Sequence, residues 1–254
     1  METQEYNRLR AVEDDHWWFR ALHELVVAVL GSRLVSTDSR ILDAGCGTGG
    51  LLAKLAALGR VEGIDASELA VALATTRGLQ AVRRDDLNEP SLAPAAYDAV
   101  TSLDVLYHTG IVDETVVLRH LHATLRPGGL LFLHLPAFES LRSAHDRRVH
   151  TRRRYRLPAV RRMLAGAGFE IMHASYRMTA LAPPVLLVRG VRSLWRRDDT
   201  QAPSDVDLPP RWLNRLLLAV CRLENRLSLR VPLPAGISLY VVARRPPGQC
   251  ATRS

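Results

Sequence analysis

A glycine-rich turn between a short apolar strand and a helix constrains the fold of this chain more than any other feature. Residues 40–44 (RILDA) are predicted to form a buried strand, and Gly45-Cys46-Gly47-Thr48-Gly49 follows at once. Glycines let the backbone turn tightly and let a ligand approach it with no Cβ in the way. The turn therefore predicts a ligand site at the carboxyl end of a central strand of an open α/β sheet.

Strands and helices alternate through residues 38–177. Apolar periodicity and capping residues predict strands at 40–44, 60–65, 79–83, 97–103, 130–136 and 169–176, and helices at 49–58, 67–77, 113–125 and 158–167. A final strand is predicted at 237–245. This alternation is typical of right-handed βαβ units in a parallel, doubly wound α/β sheet.

Three segments flank this core, which comprises residues 38–177 and 236–245. Residues 1–37 are predicted to form a helical cap built on one helix over 5–31, and residues 246–254 a frayed tail. Residues 178–235, apolar and basic and broken by prolines, are predicted to be a helical insertion between the sixth and seventh strands.

Acidic residues follow the first three strands, and they decide between two interpretations of the turn. Gly45-x-Gly47-x-x-Gly50 also matches the dinucleotide fingerprint. Asp43 precedes the glycines; a carboxylate there would repel a pyrophosphate but suits a ligand that carries an ammonium group. Asp65 ends the second strand, where an acid can accept both ribose hydroxyls.

Five blocks of sequence together carry a family resemblance. LDAGCGTG, VEGIDAS, DDLNEP, YDAV and LRPGGLL occur in this order within residues 38–136. In order and spacing they resemble the class I S-adenosylmethionine-dependent methyltransferases. The resemblance implies a Rossmann-like sheet of seven strands with the last antiparallel, and S-adenosylmethionine as cofactor.

The resemblance also implies roles for individual residues. Asp43, Gly45 and Gly47 would contact the methionine and ribose parts of the cofactor, and Asp65 the ribose hydroxyls. Asp86 would bind the adenine amino group with Leu87 behind it, and Asp85 is the alternative in register. Leu103 and Asp104, which follow the fourth strand, would lie next to the transferred methyl group.

The N-terminal block EDDHWWFR, over 13–20, resembles a bacterial methyltransferase subgroup associated with sugar and cell-envelope glycan pathways, as do HDRRVHTRRRY and the final PxGxS strand. Adjacent helical residues point about 100° apart, so Trp17 and Trp18 cannot face one core together; we expect one to cover the cofactor or contact the acceptor. Arg20 is the candidate for the cofactor carboxylate, with a plain surface arginine as the alternative. Leu22 stands where the subgroup has a second arginine.

Histidines are the candidate bases, because imidazole suits deprotonation near neutral pH. His145 and His150 lie in the basic run after the fifth strand, His108 follows the fourth strand, and Arg154 and Tyr155 are candidate acceptor contacts. The alternative for this run is a solvated basic loop. We interpret His134, inside a strand, as a satisfied core residue. The histidines show no compact metal-ligand spacing, so no metal site is expected.

Charge is distributed unevenly along the chain, whose net charge is +8. Residues 1–125 carry 11 basic and 18 acidic groups, whereas residues 126–254 carry 23 basic and 8 acidic groups. Part of the excess positive charge of the second half lies on a predicted basic amphipathic helix over 206–233. That helix could be a lid or packed helix over the acceptor, a peripheral membrane contact, or a contact in a homodimer. The excess favours an anionic or membrane-adjacent acceptor over codon bias alone.

These features predict a methyltransferase that acts on a small-molecule, lipid-linked or glycan-linked acceptor, such as a sugar, polyketide or indole-like natural product. Oxygen or nitrogen is the favoured acceptor atom, with carbon open. The alternatives are an RNA methyltransferase and a catalytically silent S-adenosylmethionine-binding scaffold. Residues 103–106 (LDVL) lack the Asn/Asp-Pro-Pro-Tyr clamp of nucleic-acid methylation, so no nucleic-acid partner is expected. Three cysteines without a CxxC pair, and no signal peptide or apolar stretch of 18 residues, favour a cytoplasmic location, with membrane association open.

Overall fold

A computed structural model describes residues 3–142, 144–183 and 207–247. The strands are β1 (Arg40–Ala44), β2 (Arg60–Asp65), β3 (Val82–Arg84), β4 (Tyr97–Leu103), β5 (Leu125–Pro136), β6 (Glu170–Arg177) and β7 (Ser238–Arg244). The helices are α1 (Thr3–Val12), α2 (Trp17–Gly31), α3 (Gly50–Leu55), α4 (Glu68–Thr75), α5 (Glu114–Thr124), α6 (Ala144–Arg148), α7 (Leu157–Gly166) and α8 (Arg211–Ser228).

The strands form one sheet in the order β3-β2-β1-β4-β5-β7-β6. Strands β1 to β5 pair in parallel, whereas β7 runs antiparallel to both β5 and β6. The predicted fold class is therefore confirmed, including the antiparallel last strand. The chain leaves β1 towards β2 and returns to its other side with β4, so a topological switch point lies between β1 and β4. Ligands of open α/β sheets bind at such a point.

Helices cover both faces of the sheet. Side chains of α2 and α3 pack on one face, against Ile41, Phe132 and Tyr240 among others. Side chains of α5 and α7 pack on the other face, against residues such as Leu131 and Val241. Because both faces are buried, the central strands have the nearly continuous apolar sequence that the pattern analysis found.

The prediction of one helix over residues 5–31 is wrong, because the chain breaks at 13–16 into α1 and α2. His16 has an extended backbone, and its Nδ1 accepts a hydrogen bond from the Trp18 backbone N–H at 3.3 Å. Glu13 turns inwards and is 4% exposed, and Thr48 and Arg77 bind its carboxylate. These partners are remote in sequence, so apolar periodicity alone carried no sign of the break.

Several element boundaries also differ from the predictions. The third strand is short and lies at Val82–Arg84 rather than 79–83, and β5 begins at Leu125 because that residue pairs with Tyr97. Within the insertion, the described helix α8 packs beside α2: Asn225 donates to the Ala21 carbonyl at 2.8 Å, and Arg222 pairs with Glu24 at 2.6 Å. In the described part of the chain, no helix is long and apolar enough to cross a membrane.

Candidate active site

A cavity of about 1100 Å³ opens at the carboxyl edge of the sheet, above the switch point. Its wall comes from α1, α2, the glycine turn, the ends of β2 and β4, and α8. Pockets that hold one drug-sized ligand usually span roughly 300–1,000 Å³. The cavity is therefore large enough for a cofactor together with a small acceptor.

The glycine turn forms the floor of one half of this cavity. Gly45 has φ +87°, and a Cβ built on it would lie 2.3 Å from Cγ2 of Val105. Both the backbone conformation and the lack of space therefore require glycine here. Asp65 holds the turn from the end of β2, since its carboxylate accepts the Gly47 and Ser67 backbone N–H groups, each at 2.9 Å. The turn is thus pre-formed and presents its backbone to a ligand.

Asp43 lies fully buried at the end of β1, beneath the turn. The Thr101 hydroxyl donates to its carboxylate at 2.7 Å. Burial raises the pKa of Asp43 to about 7, and the nearby negative charges of Asp65 and Glu13 add to the effect. A carboxylate that loses this much hydration gains strongly from a cationic partner. The residues present thus fit a ligand with an ammonium group, as the resemblance implies.

Two side chains that the sequence analysis missed also line this half. Tyr6 comes from α1, and burial together with the charge of Asp65 raises its pKa to about 12. Glu13 closes the corner between α1 and α2 onto the turn through Thr48. The acidic start of the HWWF block was a signal for Glu13, but its partners were visible only in three dimensions.

Two neighbouring acids line the far end of the cavity beyond β3. Asp85 uses both carboxylate oxygens locally, accepting from the Asp86 and Ser91 backbone N–H groups and pairing with Arg83 at 3.2 Å. Asp86 is exposed, and its Oδ1 binds Asn88 through the backbone and the side chain. Leu87 is buried behind them. Of the two acids, Asp86 makes fewer hydrogen bonds within the protein.

A histidine–aspartate pair forms part of the cavity wall at the carboxyl ends of β4 and β5. Nδ1 of His134 lies 2.9 Å from Oδ2 of Asp104, which follows β4 with a positive φ of 58°. Both residues line the cavity, as does Leu103. His134 is fully buried, and its Nε2 has no hydrogen-bond partner among the described residues. The interpretation of His134 as a satisfied core residue is therefore wrong: half of its hydrogen-bonding capacity is open.

The other candidate histidines differ in whether they line the cavity. His108 lines the cavity, and burial lowers its pKa to about 4. His150 is exposed, is not part of the cavity wall, and stacks 6.4 Å from His108. The side chain of His145 lies outside the described residues.

The basic run after β5 is held mainly by contacts within the protein. Arg154 lines the cavity but forms a buried ion pair with Asp146, with its Nε 2.9 Å from Oδ1. The Tyr155 hydroxyl donates within the interior and lies 3.0 Å from Oε1 of Glu114, and Tyr155 is not in the cavity wall. Arg20, half-buried on α2, is not in the wall either.

The two tryptophans of α2 diverge, as predicted for adjacent helical residues, and both line the cavity. Trp17 packs against Ala21 and Cys221, at the contact with α8. Trp18 lies edge-to-face on the His134 ring, with centroids 5.7 Å apart. Trp18 therefore covers the histidine–aspartate pair.

Among the described residues, no group of three or more His, Cys, Asp or Glu side chains is arranged to hold a metal ion.

The profile of the methyltransferase domain family matches residues 15–174. The chain belongs to this family. A ubiquinone biosynthesis O-methyltransferase of Xanthomonas oryzae pv. oryzae is 32% identical over 134 residues, which cover 47% of this chain and 55% of that protein. The chain thus matches about half the length of this relative.

Solved structures share the fold of this methyltransferase domain at low identity. A chain from the complex of the Haloferax volcanii Trm112 methyltransferase activator with a methyltransferase matches with a TM-score of 0.60 and 16% identity, covering 95% of this chain and 98% of that one. The Haemonchus contortus phosphoethanolamine N-methyltransferase 2, in complex with S-adenosyl-L-methionine, matches with a TM-score of 0.56 and 20% identity, covering 90% of this chain and 53% of that one. The Rossmann-like architecture is common to all three.

Proposed function

We propose that the protein transfers the methyl group of S-adenosylmethionine to a hydroxyl oxygen of a small aromatic acceptor. The observation that carries this proposal is the His134–Asp104 pair, which lines the same cavity as the glycine turn. Trp17, Trp18 and Tyr107 give the cavity an aromatic wall, and the relative named as an O-methyltransferase favours oxygen as the acceptor atom.

Asp43, Gly45, Gly47 and Asp65 would hold the cofactor, with Asp86 and Leu87 at its adenine end. When bound, S-adenosylmethionine supplies an electrophilic methyl group on its sulfonium. The protein's share of catalysis is then to position the acceptor oxygen against that methyl group and to remove its proton.

His134 is the base in this proposal. Its Nε2 takes the proton of the acceptor hydroxyl as the oxygen–carbon bond forms. Asp104 accepts a hydrogen bond from Nδ1–H, which keeps Nε2 free as the acceptor and stabilises the imidazolium that results. We replace His150 and His108 in this role, because neither is held by a carboxylate among the described residues; the side chain of His145 lies outside them. Trp17 and Trp18 remain proposed acceptor contacts.

Methylation of a simple phenol tests the function. The full-length protein is incubated with S-adenosylmethionine labelled on the methyl group and with catechol, and S-adenosylhomocysteine binding is measured by calorimetry. We expect both binding and labelled methyl ether. Absence of binding would contradict the proposed cofactor. Binding without transfer to phenols would favour the silent scaffold, and transfer to RNA instead would support the RNA alternative.

We expect S-adenosylhomocysteine to bind more tightly at pH 7 than at pH 5.5. Asp43, with its pKa raised to about 7, is mostly protonated at pH 5.5. It must lose that proton to pair with the ligand's ammonium group, so affinity rises as pH rises towards 7. One linked proton corresponds to roughly a tenfold change over this range. Titrations at both pH values measure it. Asp43→Asn should reduce the dependence to the share of Asp65, whose pKa is also raised by burial; an unchanged pH dependence in this variant would exclude Asp43.

We also propose that α8 places the protein on an anionic membrane surface. Its buried face is unusually polar and includes Glu224, Asn225 and Ser228. Its opposite face exposes large apolar side chains, and arginines flank them: Trp212, Leu216, Leu223 and Leu227, with Arg211, Arg215 and Arg226. Exposed apolar side chains bordered by arginines are typical of helices that lie in the headgroup region. Leu213 and Leu217 of the same helix line the cavity, so docking would bring its mouth close to lipid-borne acceptors.

Vesicle co-sedimentation tests this contact. We expect the protein to bind vesicles of phosphatidylcholine with phosphatidylglycerol, less to phosphatidylcholine alone, and less at high salt because screening weakens the arginine contribution. Leu223→Glu should lower the partition coefficient roughly tenfold by placing a charge in the apolar face. Val35→Glu is the matched control, since Val35 is a fully exposed apolar residue in the loop between α2 and β1. Equal losses in both variants would contradict the assignment.

A further inference from the structure

The side chain of Arg177, at the end of β6, is buried without a partner for its charge. It is 1% exposed, and its Nε donates to the Asn225 side chain at 3.1 Å. Its Nη1 and Nη2 have no hydrogen-bond partner among the described residues. Buried charges in proteins are normally paired, because an isolated one loses its hydration without compensation. Burial also lowers the pKa of this guanidinium.

The two carboxylates whose charges act on Arg177 are engaged elsewhere. Asp104 pairs with His134. Glu224 accepts the backbone N–H groups of Met178 and Ala180. The protein thus surrounds this cation without supplying a counter-ion in contact with it, so a neutralising anion would have to come from outside the described chain.

Sheet register places Arg177 beside the active site. Arg177 lies opposite Ser238 of β7, and Ser238 lies opposite Pro136 of β5. Residues directly opposite each other share a face, and residues two apart on a strand share it too. His134 therefore projects from the same face of the sheet, at the same edge, as Ser238 and Arg177.

Arg177 is not part of the cavity wall, but residues next to it are. Ser238 and Met178, its neighbours across the sheet and along the chain, both line the cavity, as does Trp18. Cζ of Arg177 stands 6.0 Å from the centre of the Trp18 ring, the same ring that lies on His134. The buried Ser238 hydroxyl also has no partner in the described structure. Two residues that pair across the sheet, Arg177 and Ser238, thus both carry buried donors without a partner among the described residues.

We propose that Arg177 and Ser238 form a subsite for an anionic group, a carboxylate or phosphate, carried by the acceptor. The anionic group would enter between Trp18 and Ser238 and accept from Nη1, Nη2 and the serine hydroxyl. The planar fork of a guanidinium matches either group with two parallel hydrogen bonds. Because His134 lies beside the subsite, this anchor would hold a nearby acceptor hydroxyl against the proposed base. The inference rests on the proposed function and names its substrate class.

Binding to three aromatic probes tests the subsite. The S-adenosylhomocysteine-loaded protein is titrated with 3,4-dihydroxybenzoate, phenyl phosphate and catechol, with sodium chloride as an ionic control. We expect at least one anionic probe to bind roughly tenfold or more tightly than catechol. The stronger of the two distinguishes carboxylate from phosphate. No preference over catechol, or the same response to chloride, would overturn the proposal.

Two variants distinguish loss of the subsite from loss of folding: Arg177→Met and Ser238→Asp. The first removes an unpaired buried cation at nearly constant volume, and the second adds a carboxylate opposite it. Both should raise Tm and abolish the preference for anionic probes. Arg60→Met, which removes an exposed arginine paired with Asp38, is the charge-matched control and should keep the preference. A lower Tm with the preference intact would show that Arg177 is structural. Catechol methylation with no anionic preference would overturn the subsite alone, whereas loss of cofactor binding in the unmodified protein would overturn the proposed function.

Discussion

His134→Asn should lower kcat for catechol about a hundred- to ten-thousand-fold, the usual contribution of a general base. Asparagine retains a donor for the Asp104 carboxylate but provides no basic nitrogen at the position of Nε2. The dissociation constant of S-adenosylhomocysteine should stay near the value for the unmodified protein, because neither His134 nor Asp104 holds the glycine turn in place. Initial rates and calorimetry on the same preparations measure the two quantities.

A more acidic acceptor separates a missing base from a damaged site. 4-Nitrocatechol is largely ionised near neutral pH, so it needs little help with its proton, and the loss in His134→Asn should shrink greatly. His173→Asn is the matched control, because His173 lies on β6 outside the cavity wall and bonds to Tyr240. If both acceptors lost rate equally in His134→Asn, the histidine would be acting through packing and not as a base.

Gly45→Ala should weaken cofactor binding more than a hundredfold, by roughly 3 kcal/mol or more. The new methyl group would meet Val105 at 2.3 Å, and φ of +87° is unfavourable for alanine. Since Val105 follows Asp104, the displacement would also disturb the proposed base and lower kcat. Calorimetric titration with S-adenosylhomocysteine measures the effect.

Gly78→Ala isolates the cause of that loss. Gly78 has φ +81°, close to the value at Gly45, but a Cβ there meets nothing within 4 Å. Both variants bear the same backbone strain, so a lower Tm is expected in each. Only Gly45→Ala should lose the cofactor. Comparable loss of binding in Gly78→Ala would trace the effect to global destabilisation, and tight binding by Gly45→Ala would place the ligand away from the turn.

Local pattern was sufficient for the parts of the site that lie within one strand–turn–helix unit. Asp43, Gly45 and Asp65 are adjacent to strand ends, so predicting the strands also placed them at one edge of the sheet. Leu103 and Asp104 follow for the same reason. The break between α1 and α2 escaped prediction because Glu13 depends on Thr48 and Arg77, which are separated from it by 35 and 64 positions.

The residues proposed to act on the acceptor also divide into those that the sequence pointed to and those that only the structure revealed. His134 looked like a core residue because its strand is continuously apolar, and Arg177 looked like one of many arginines. What distinguishes them is an open hydrogen-bonding capacity in a buried place, at Nε2 of one and at Nη1 and Nη2 of the other. Conversely, His150 and Tyr155 satisfied the sequence criteria, but folding leaves the first exposed and turns the second into the interior.

The sequence by itself determined the α/β class, the positions of most strands, and the glycine turn with Asp43 and Asp65 at neighbouring strand ends. These depend on periodicity and turn chemistry, which act over a few residues. Only the tertiary structure decided which polar groups are buried and which of them lack partners. Burial removes water, and whether a replacement partner is present depends on strands and helices far apart in the chain. The Asp104–His134 pair and the unpaired charge of Arg177 are results of that non-local arrangement.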